Sequence, residues 1–203
     1  MLGKLFNKYG CDKTAKHKYD RIYESEFEPL KDQEINILEI GVFKGESTKA
    51  FLEYFPNATI YALDIFVRVI PEELDVLKHP RVKWLQADST AHNANELFKE
   101  KFGDVEFDII IDDGLHTPAA NTATFNNFFP MLKSGGTFYI EDVWPLDIMD
   151  INQKKHRWLV SHPSDYTNLK MNEFLEAINP HDVNRFDNRN ITGCPDSYII
   201  SVK

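Results

Sequence analysis

The stretch Ile35-Asn36-Ile37-Leu38-Glu39-Ile40-Gly41-Val42-Phe43-Lys44-Gly45 decides how the rest of this chain is read. Ile35–Ile40 is a nearly unbroken apolar run of strand length, the pattern of a strand covered on both faces. Gly41 ends it where the backbone must turn sharply, and Gly45 stands before a helical pattern over Glu46–Phe55. The glycines are spaced G-x-x-x-G, not the G-x-G-x-x-G that cradles a dinucleotide pyrophosphate at a helix N-terminus. Taken alone, E-x-G-x-x-x-G fits an ordinary strand-turn-helix equally well.

Further strands are expected at Thr59–Leu63, Val82–Gln86, Phe107–Ile111 and Thr137–Ile140, and a final pair at Val183–Asp187 and Ser197–Val202. Helical patterns lie between them at Asn93–Phe102, Pro118–Leu132 and Tyr166–Ile178. Thr117-Pro118 reads as a helix start, with Thr as N-cap and Pro in the first turn. Gly135-Gly136 reads as the turn into the next strand. Such alternation implies right-handed βαβ units and a Rossmann-like, doubly wound, mostly parallel α/β sheet with helices on both faces. The loop Asn188–Asp196 is too short for a crossover helix, so the seven-stranded sheet should end in an antiparallel hairpin. Ahead of the first strand, Tyr19, Ile22, Tyr23, Phe27 and Leu30 recur at helical spacing, predicting an amphipathic helix over Lys18–Lys31.

Composition narrows the function classes. The formal net charge is −9, against what nucleic-acid binding needs, because that affinity comes from Lys and Arg neutralising phosphates. The basic run Lys154-Lys155-His156-Arg157 reads as a solvated helix face. No stretch approaches the ~20 apolar residues needed to span a bilayer, and MLGKLFNKYG lacks an apolar run of signal length. With only Cys11 and Cys194, free thiols in a reducing cytoplasm are expected. Self-association is left open.

In doubly wound sheets ligands sit beyond the carboxyl ends of the strands, near the point where strand order reverses. The first such end carries Glu39, Gly41 and Gly45, the second Asp64, and the third Asp88. An acid about 20 residues past the glycine turn accepts hydrogen bonds from ribose hydroxyls, and Asp88 is placed to meet an adenine amine. A lone acid after a strand is more often a cap or a solvated loop residue, but three signals after three successive strands are harder to dismiss. The ordered series from Ile35 onward resembles the class I S-adenosylmethionine-dependent methyltransferases, which also end in an antiparallel hairpin. That resemblance implies a methyltransferase domain over 35–203 with S-adenosylmethionine as cofactor. Residues 1–34 are then an N-terminal helical segment packed on the core, with covering of the site left open.

The fourth strand runs into Asp112-Asp113-Gly114-Leu115-His116 and the fifth into Glu141-Asp142. Adjacent strands lie about 4.8 Å apart, so Asp113, Glu141 and Asp142 should gather with His116 close by. Carboxylates so placed repel one another unless a cation sits among them, and all-oxygen ligands favour a hard ion such as Mg²⁺. Helix caps and ion pairs are the alternative use of the same acids, as a structural hydrogen bond is of His116. IDDGLH followed by IED, with 28 residues from Asp113 to Glu141, resembles the metal-dependent sugar O-methyltransferases of macrolide biosynthesis. Leu115 stands where that family typically has Ser. The opening Tyr9-Gly10-Cys11-Asp12-Lys13, then His17, Tyr19 and Tyr23, is similar to the family's GTDK…H-x-Y…Y, with Cys11 in place of Thr. The resemblance implies Mg²⁺ on Asp113, Glu141 and Asp142, His116 as catalytic base beside Asp113, and Asp112 among the cofactor contacts. It also implies a small-molecule or glycan hydroxyl as acceptor, a vicinal diol of a sugar above all.

Catechol O-methyltransferases use a similar acidic metal site and stay open as an alternative, as does a cofactor- or sugar-binding module without turnover. A D/N-P-P-Y/F motif of amino-methyltransferases is absent after the fourth strand, where IDDG stands. The segment Val143–Ser164, with Trp144, Pro145, Trp158 and His162, serves either as an acceptor lid with sugar-stacking rings or as ordinary packing.

Overall fold

Seven strands form a single sheet in the computed structural model, which describes residues 1–145 and 162–203. They are β1 (Asn36–Ile40), β2 (Thr59–Asp64), β3 (Val82–Gln86), β4 (Phe107–Asp112), β5 (Leu132–Ile140), β6 (Val183–Asp187) and β7 (Tyr198–Val202), in the order β3-β2-β1-β4-β5-β7-β6. β1 to β5 pair in parallel, and β7 runs antiparallel to both β5 and β6. The expected doubly wound sheet with its terminal hairpin is therefore observed.

Strand side chains alternate between two apolar layers, as a pleat of period two requires. Ile37, Ile60, Ile109 and Ile111 face one layer. It is covered by α1 (Leu2–Tyr9), α3 (Asp20–Phe27) and α4 (Glu46–Tyr54), with the one-turn α2 (Asp12–Ala15) leading from α1 towards α3. Leu38, Ile40, Leu63, Ile110 and Ile140 face the other, under α5 (Ala94–Phe102), α6 (Pro118–Phe128) and α7 (Asn168–Ile178). In the first layer Tyr23 stacks on Phe27 at 4.7 Å and meets Tyr139 edge-on at 5.2 Å. Full burial of one such ring stabilises the fold by about 2–3 kcal/mol. α6 begins as its sequence predicts: the Thr117 side chain accepts a hydrogen bond from the Ala120 N–H at 3.1 Å, with Pro118 in the first turn.

Two local readings needed correction. Gly135-Gly136 does not precede β5 but lies inside it, where the pairing with β4 slips between Phe107↔Leu132 and Ile109↔Thr137. Gly135 is left-handed (φ +82°), and a β-carbon on Gly136 would lie 3.0 Å from the Phe107 and Asp108 carbonyl oxygens, so the pair forms a bulge rather than a turn. The polar loop Asn188–Asp196 contains a short helix, α8 (Arg189–Thr192). Ahead of Lys18, the segment read as helical forms α1 and α2. The basic run Lys154–Arg157 and Trp158 lie outside the described residues. Among the described residues no helix is long and apolar enough to cross a membrane.

Candidate functional site

Strand order reverses between β1 and β4, so the loops after these two strands lie side by side. Gly41 takes φ +87° directly after β1, and its N–H donates to the Leu63 carbonyl at 2.9 Å. Asp64, at the end of β2, holds this turn from the neighbouring strand. Its Oδ2 accepts the N–H groups of Val42 (2.7 Å) and Phe43 (2.9 Å), and its Oδ1 accepts that of Phe66 (2.6 Å). Phe43 and Phe66 both adopt positive φ, costly for bulky residues and a mark of sites where the surroundings enforce a shape. Phe43, Ile65 and Val67 leave large apolar surfaces exposed around this carboxylate. Exposed apolar surface beside a polar anchor is a ligand-site feature.

The other residues expected at the cofactor site are placed differently. Glu39 is fully buried, and its two oxygens accept the hydroxyls of Ser47 and Thr48 at the start of α4, the latter at 2.6 Å. Burial lifts its pKa to about 7, with the two hydroxyls opposing the rise. It ties β1 to α4 and shapes the turn from behind. Gly45 caps α4 with φ +73°, and a β-carbon there would strike Val76. Asp88 is exposed after β3 and accepts the Thr90 N–H and hydroxyl at 2.9 and 2.7 Å. Asp112 is buried; it accepts from the Gly114 N–H and the Asn121 side-chain amide, each at 3.2 Å, and burial raises its pKa to about 6.

Beyond β4 and β5 the acids converge. Asp113, His116 and Asp142 each present a ligand-capable atom, all within 4.8 Å of one another. His116 Nε2 is 3.6 Å from Asp113 Oδ1, while its buried Nδ1 has no hydrogen-bond partner among the described residues. His116 (φ +57°) and Asp142 (φ +52°) are both left-handed, so this corner too is built on strained backbone. The Tyr166 hydroxyl donates to the His116 carbonyl at 2.7 Å and pins that backbone.

The N-terminal segment reaches into the same corner. Lys13, only 1% exposed, places Nζ 2.6 Å from Asp113 Oδ2 and 2.5 Å from Glu141 Oε2. Tyr23 donates its hydroxyl to the other Glu141 oxygen. The Tyr19 hydroxyl donates to Asp142 Oδ1 at 2.8 Å and receives the Asp142 N–H at 3.2 Å. His17 Nδ1 lies 2.9 Å from Ser197 Oγ and 3.4 Å from Asp142 Oδ1. Burial alone would lower the Lys13 pKa; the Asp113 and Glu141 carboxylates outweigh it and hold the ammonium charged well above its ordinary range. Burial pushes Asp142 upward, against the attraction of His116 and His17.

The structure thus brings together Asp113, His116 and Asp142, with Glu141 one residue away and held by Lys13 and Tyr23. Glu39 and one oxygen of Asp88 are held in local networks of their own. Sequence reasoning noted Lys13, His17, Tyr19 and Tyr23 as a familial opening, with Tyr19 and Tyr23 also on the apolar face of a helix, and gave them no role at the site. No periodicity could connect Lys13 to Glu141, 128 positions on. Trp144 is buried in the second apolar layer, edge-on to Tyr166 at 6.2 Å, so its ring is a packing group.

The rhamnosyl-tetracenomycin-C 2'-O-methyltransferase of Streptomyces olivaceus is 31% identical over 157 residues, 71% of this chain and 39% of that protein. Mycinamicin VI 2''-O-methyltransferase of Micromonospora griseorubida is 30% identical over 151 residues, 70% of this chain and 36% of that protein. The chain therefore spans less than two-fifths of the length of these relatives. The fold is that of the solved MycE methyltransferase from the mycinamycin pathway, in complex with Mg, SAH and mycinamycin VI, with a TM-score of 0.71 at 24% identity over all of this chain and 54% of that one. Residues 38–143, more than half of the chain and the part that carries β1 to β5 and the acidic corner, match the methyltransferase domain family, and the chain belongs to it.

Proposed function

We propose that this chain is the catalytic domain of an S-adenosylmethionine- and Mg²⁺-dependent O-methyltransferase acting on a sugar hydroxyl. The observation that carries this reading is the convergence of Asp113, His116 and Asp142 within 4.8 Å, next to the Gly41 turn. The relatives named above methylate sugar hydroxyls by their names, which supports the acceptor class.

The donor set fits a hard divalent cation: the carboxylates of Asp113 and Asp142 converge beside an imidazole whose buried Nδ1 lacks a partner among the described residues. In this reading Asp113, Asp142 and Glu141 would hold the ion, the Gly41 turn and Asp64 would seat the cofactor, and residues 1–34 would close the acidic corner from outside. S-adenosylmethionine supplies an electrophilic methyl group, and the cation supplies a more acidic acceptor hydroxyl. The chain's own work is then positioning and proton transfer. His116 Nε2 would accept the proton of the acceptor hydroxyl, with Asp113 beside it to stabilise the imidazolium. The left-handed backbone at His116, pinned by Tyr166, fixes where that nitrogen points.

The deciding experiment is calorimetric titration of S-adenosylmethionine with Mg²⁺ and with EDTA, on wild type and Asp64→Ala, followed by turnover assays on glycosides and catechols. Saturable binding lost in Asp64→Ala, with methylation of glycosides, supports the proposal. Turnover of catechols alone would move the acceptor to the aromatic class. No binding by folded wild type would remove the methyltransferase reading of this chain.

A further inference from the structure

The acidic corner already contains a cation of the protein's own. Lys13 stands on the one-turn α2, a hundred residues from Asp113 in sequence, yet its ammonium bridges Asp113 Oδ2 and Glu141 Oε2 in a buried position. A lysine is rarely buried unless paired, and here one ammonium stands between two carboxylates. With Tyr23 on the remaining Glu141 oxygen and His116 near the remaining Asp113 oxygen, all four carboxylate oxygens face a protein group. Two of the three acids expected to hold Mg²⁺ are therefore engaged by an ammonium. A divalent ion contacting the same carboxylates would stand a few ångströms from that ammonium, where like charges in a poorly solvated site repel strongly.

We propose that Lys13 is a tethered counter-cation that occupies the Asp113–Glu141 pair when no divalent ion is bound, and that Mg²⁺ binding displaces it. The inference rests on the metal-dependent reading above. Its consequence is an affinity set too weak on purpose: Mg²⁺ must compete with an internal ligand of fixed, high local concentration. Without Lys13, the Asp113–Glu141 pair keeps the Tyr23 hydroxyl and the His116 imidazole among the described residues, while Asp142 retains Tyr19, His17 and the attraction of Lys16. The divalent ion then becomes the pair's main source of charge compensation.

The test is calorimetric titration of MgCl₂ into wild type, Lys13→Met and Lys13→Arg, with thermal denaturation of each in EDTA and in Mg²⁺. Lys13→Met should bind Mg²⁺ at least about tenfold more tightly than wild type, the direction set by loss of a nearby like charge. It should also melt lower in EDTA and gain more from Mg²⁺ than wild type does. Lys13→Arg keeps the charge and should bind no more tightly than wild type. Should Lys13→Met fail to fold, wild type itself decides. Reductive methylation followed by peptide mass spectrometry should find Lys13 protected in EDTA and modified several-fold faster in saturating Mg²⁺. Mg²⁺ binding to wild type with equal or weaker binding to Lys13→Met, or equal Lys13 protection in both buffers, overturns the displacement while leaving the metal site standing. No Mg²⁺ uptake by any of the three proteins overturns the metal reading and the displacement together.

Discussion

A β-carbon on Gly41 would lie 2.0 Å from the backbone carbonyl oxygen of Asp113. The Asp113 N–H donates to the Ile40 carbonyl at 2.8 Å, so the loop after β4 is strapped against the turn after β1 at one point. The expected cofactor turn and the acidic corner thus share a backbone contact that only glycine permits. Gly41→Ala should lose at least 3 kcal/mol, about 1–3 from the left-handed conformation alone and the rest from the overlap. That is a fall in Tm of at least about 6 °C for a domain of this size. Gly10→Ala is the comparison: it is left-handed at φ +75° and ψ +20°, with open space around the new methyl group. It should cost only about 1 kcal/mol. Equal losses by calorimetry in the two variants would show that the Gly41–Asp113 approach does not constrain the fold.

Asp64 supports a different expectation, because it accepts three backbone N–H groups across the strand boundary. Asp64→Ala leaves those donors without their acceptor and frees the strained Phe43 and Phe66 backbones. It should lower stability by about 1–3 kcal/mol and abolish cofactor binding in calorimetry. Asp64→Asn keeps one acceptor oxygen and should retain most of the stability while still weakening the cofactor. A variant with full stability and full cofactor affinity would remove Asp64 from the site.

How much of this was legible in the sequence depends on whether the signal was local. The apolar runs Ile35–Ile40 and Phe107–Ile111 placed β1 and β4 correctly because a doubly covered strand needs little else. The terminal hairpin followed from loop length alone. Gly135-Gly136 misled because a bulge and a turn ask for the same residue, and the choice between them lies in the partner strand. The acids were legible as a group because each ends a strand. Their counter-charge was not, because Lys13, Tyr19 and Tyr23 arrive from the N-terminal segment through packing of Phe6, Tyr23, Phe27 and Phe51. Asp88 and Glu39 were read by position; in the structure Glu39 accepts from Ser47 and Thr48, and one Asp88 oxygen accepts from Thr90, contacts that position alone does not reveal.

For His116, the choice of substitution matters because its φ is +57°. Asn tolerates the left-handed region better than Ala does, so His116→Asn removes the imidazole with the least disturbance of the backbone held by Tyr166. Loss of a general base should lower kcat about 10²–10⁴-fold. The Kd for S-adenosylmethionine, read by calorimetry, should stay within twofold of wild type, a limit of roughly 0.4 kcal/mol. Undiminished kcat would leave His116 as a structural hydrogen-bonding group.

Glu39 gives a prediction about pH. Its carboxyl titrates near 7 in the folded protein because burial disfavours the anion, against an ordinary value of 4.5. Between these values the folded state keeps a proton that the unfolded chain releases. Stability from this group is therefore fully present below about pH 4.5 and is lost as pH rises through 7, a total of about 3 kcal/mol. Glu39→Gln cannot titrate, yet its amide still offers an acceptor and a donor to Ser47 and Thr48. Urea denaturation at pH 5, 6, 7 and 8 should show wild type losing stability relative to Glu39→Gln across the series, with most of the change between pH 5 and 7. Other groups titrate alike in both proteins and cancel in the difference. Parallel pH profiles would mean that Glu39 is already ionised in the fold at pH 5, with the Ser47 and Thr48 hydroxyls compensating its charge.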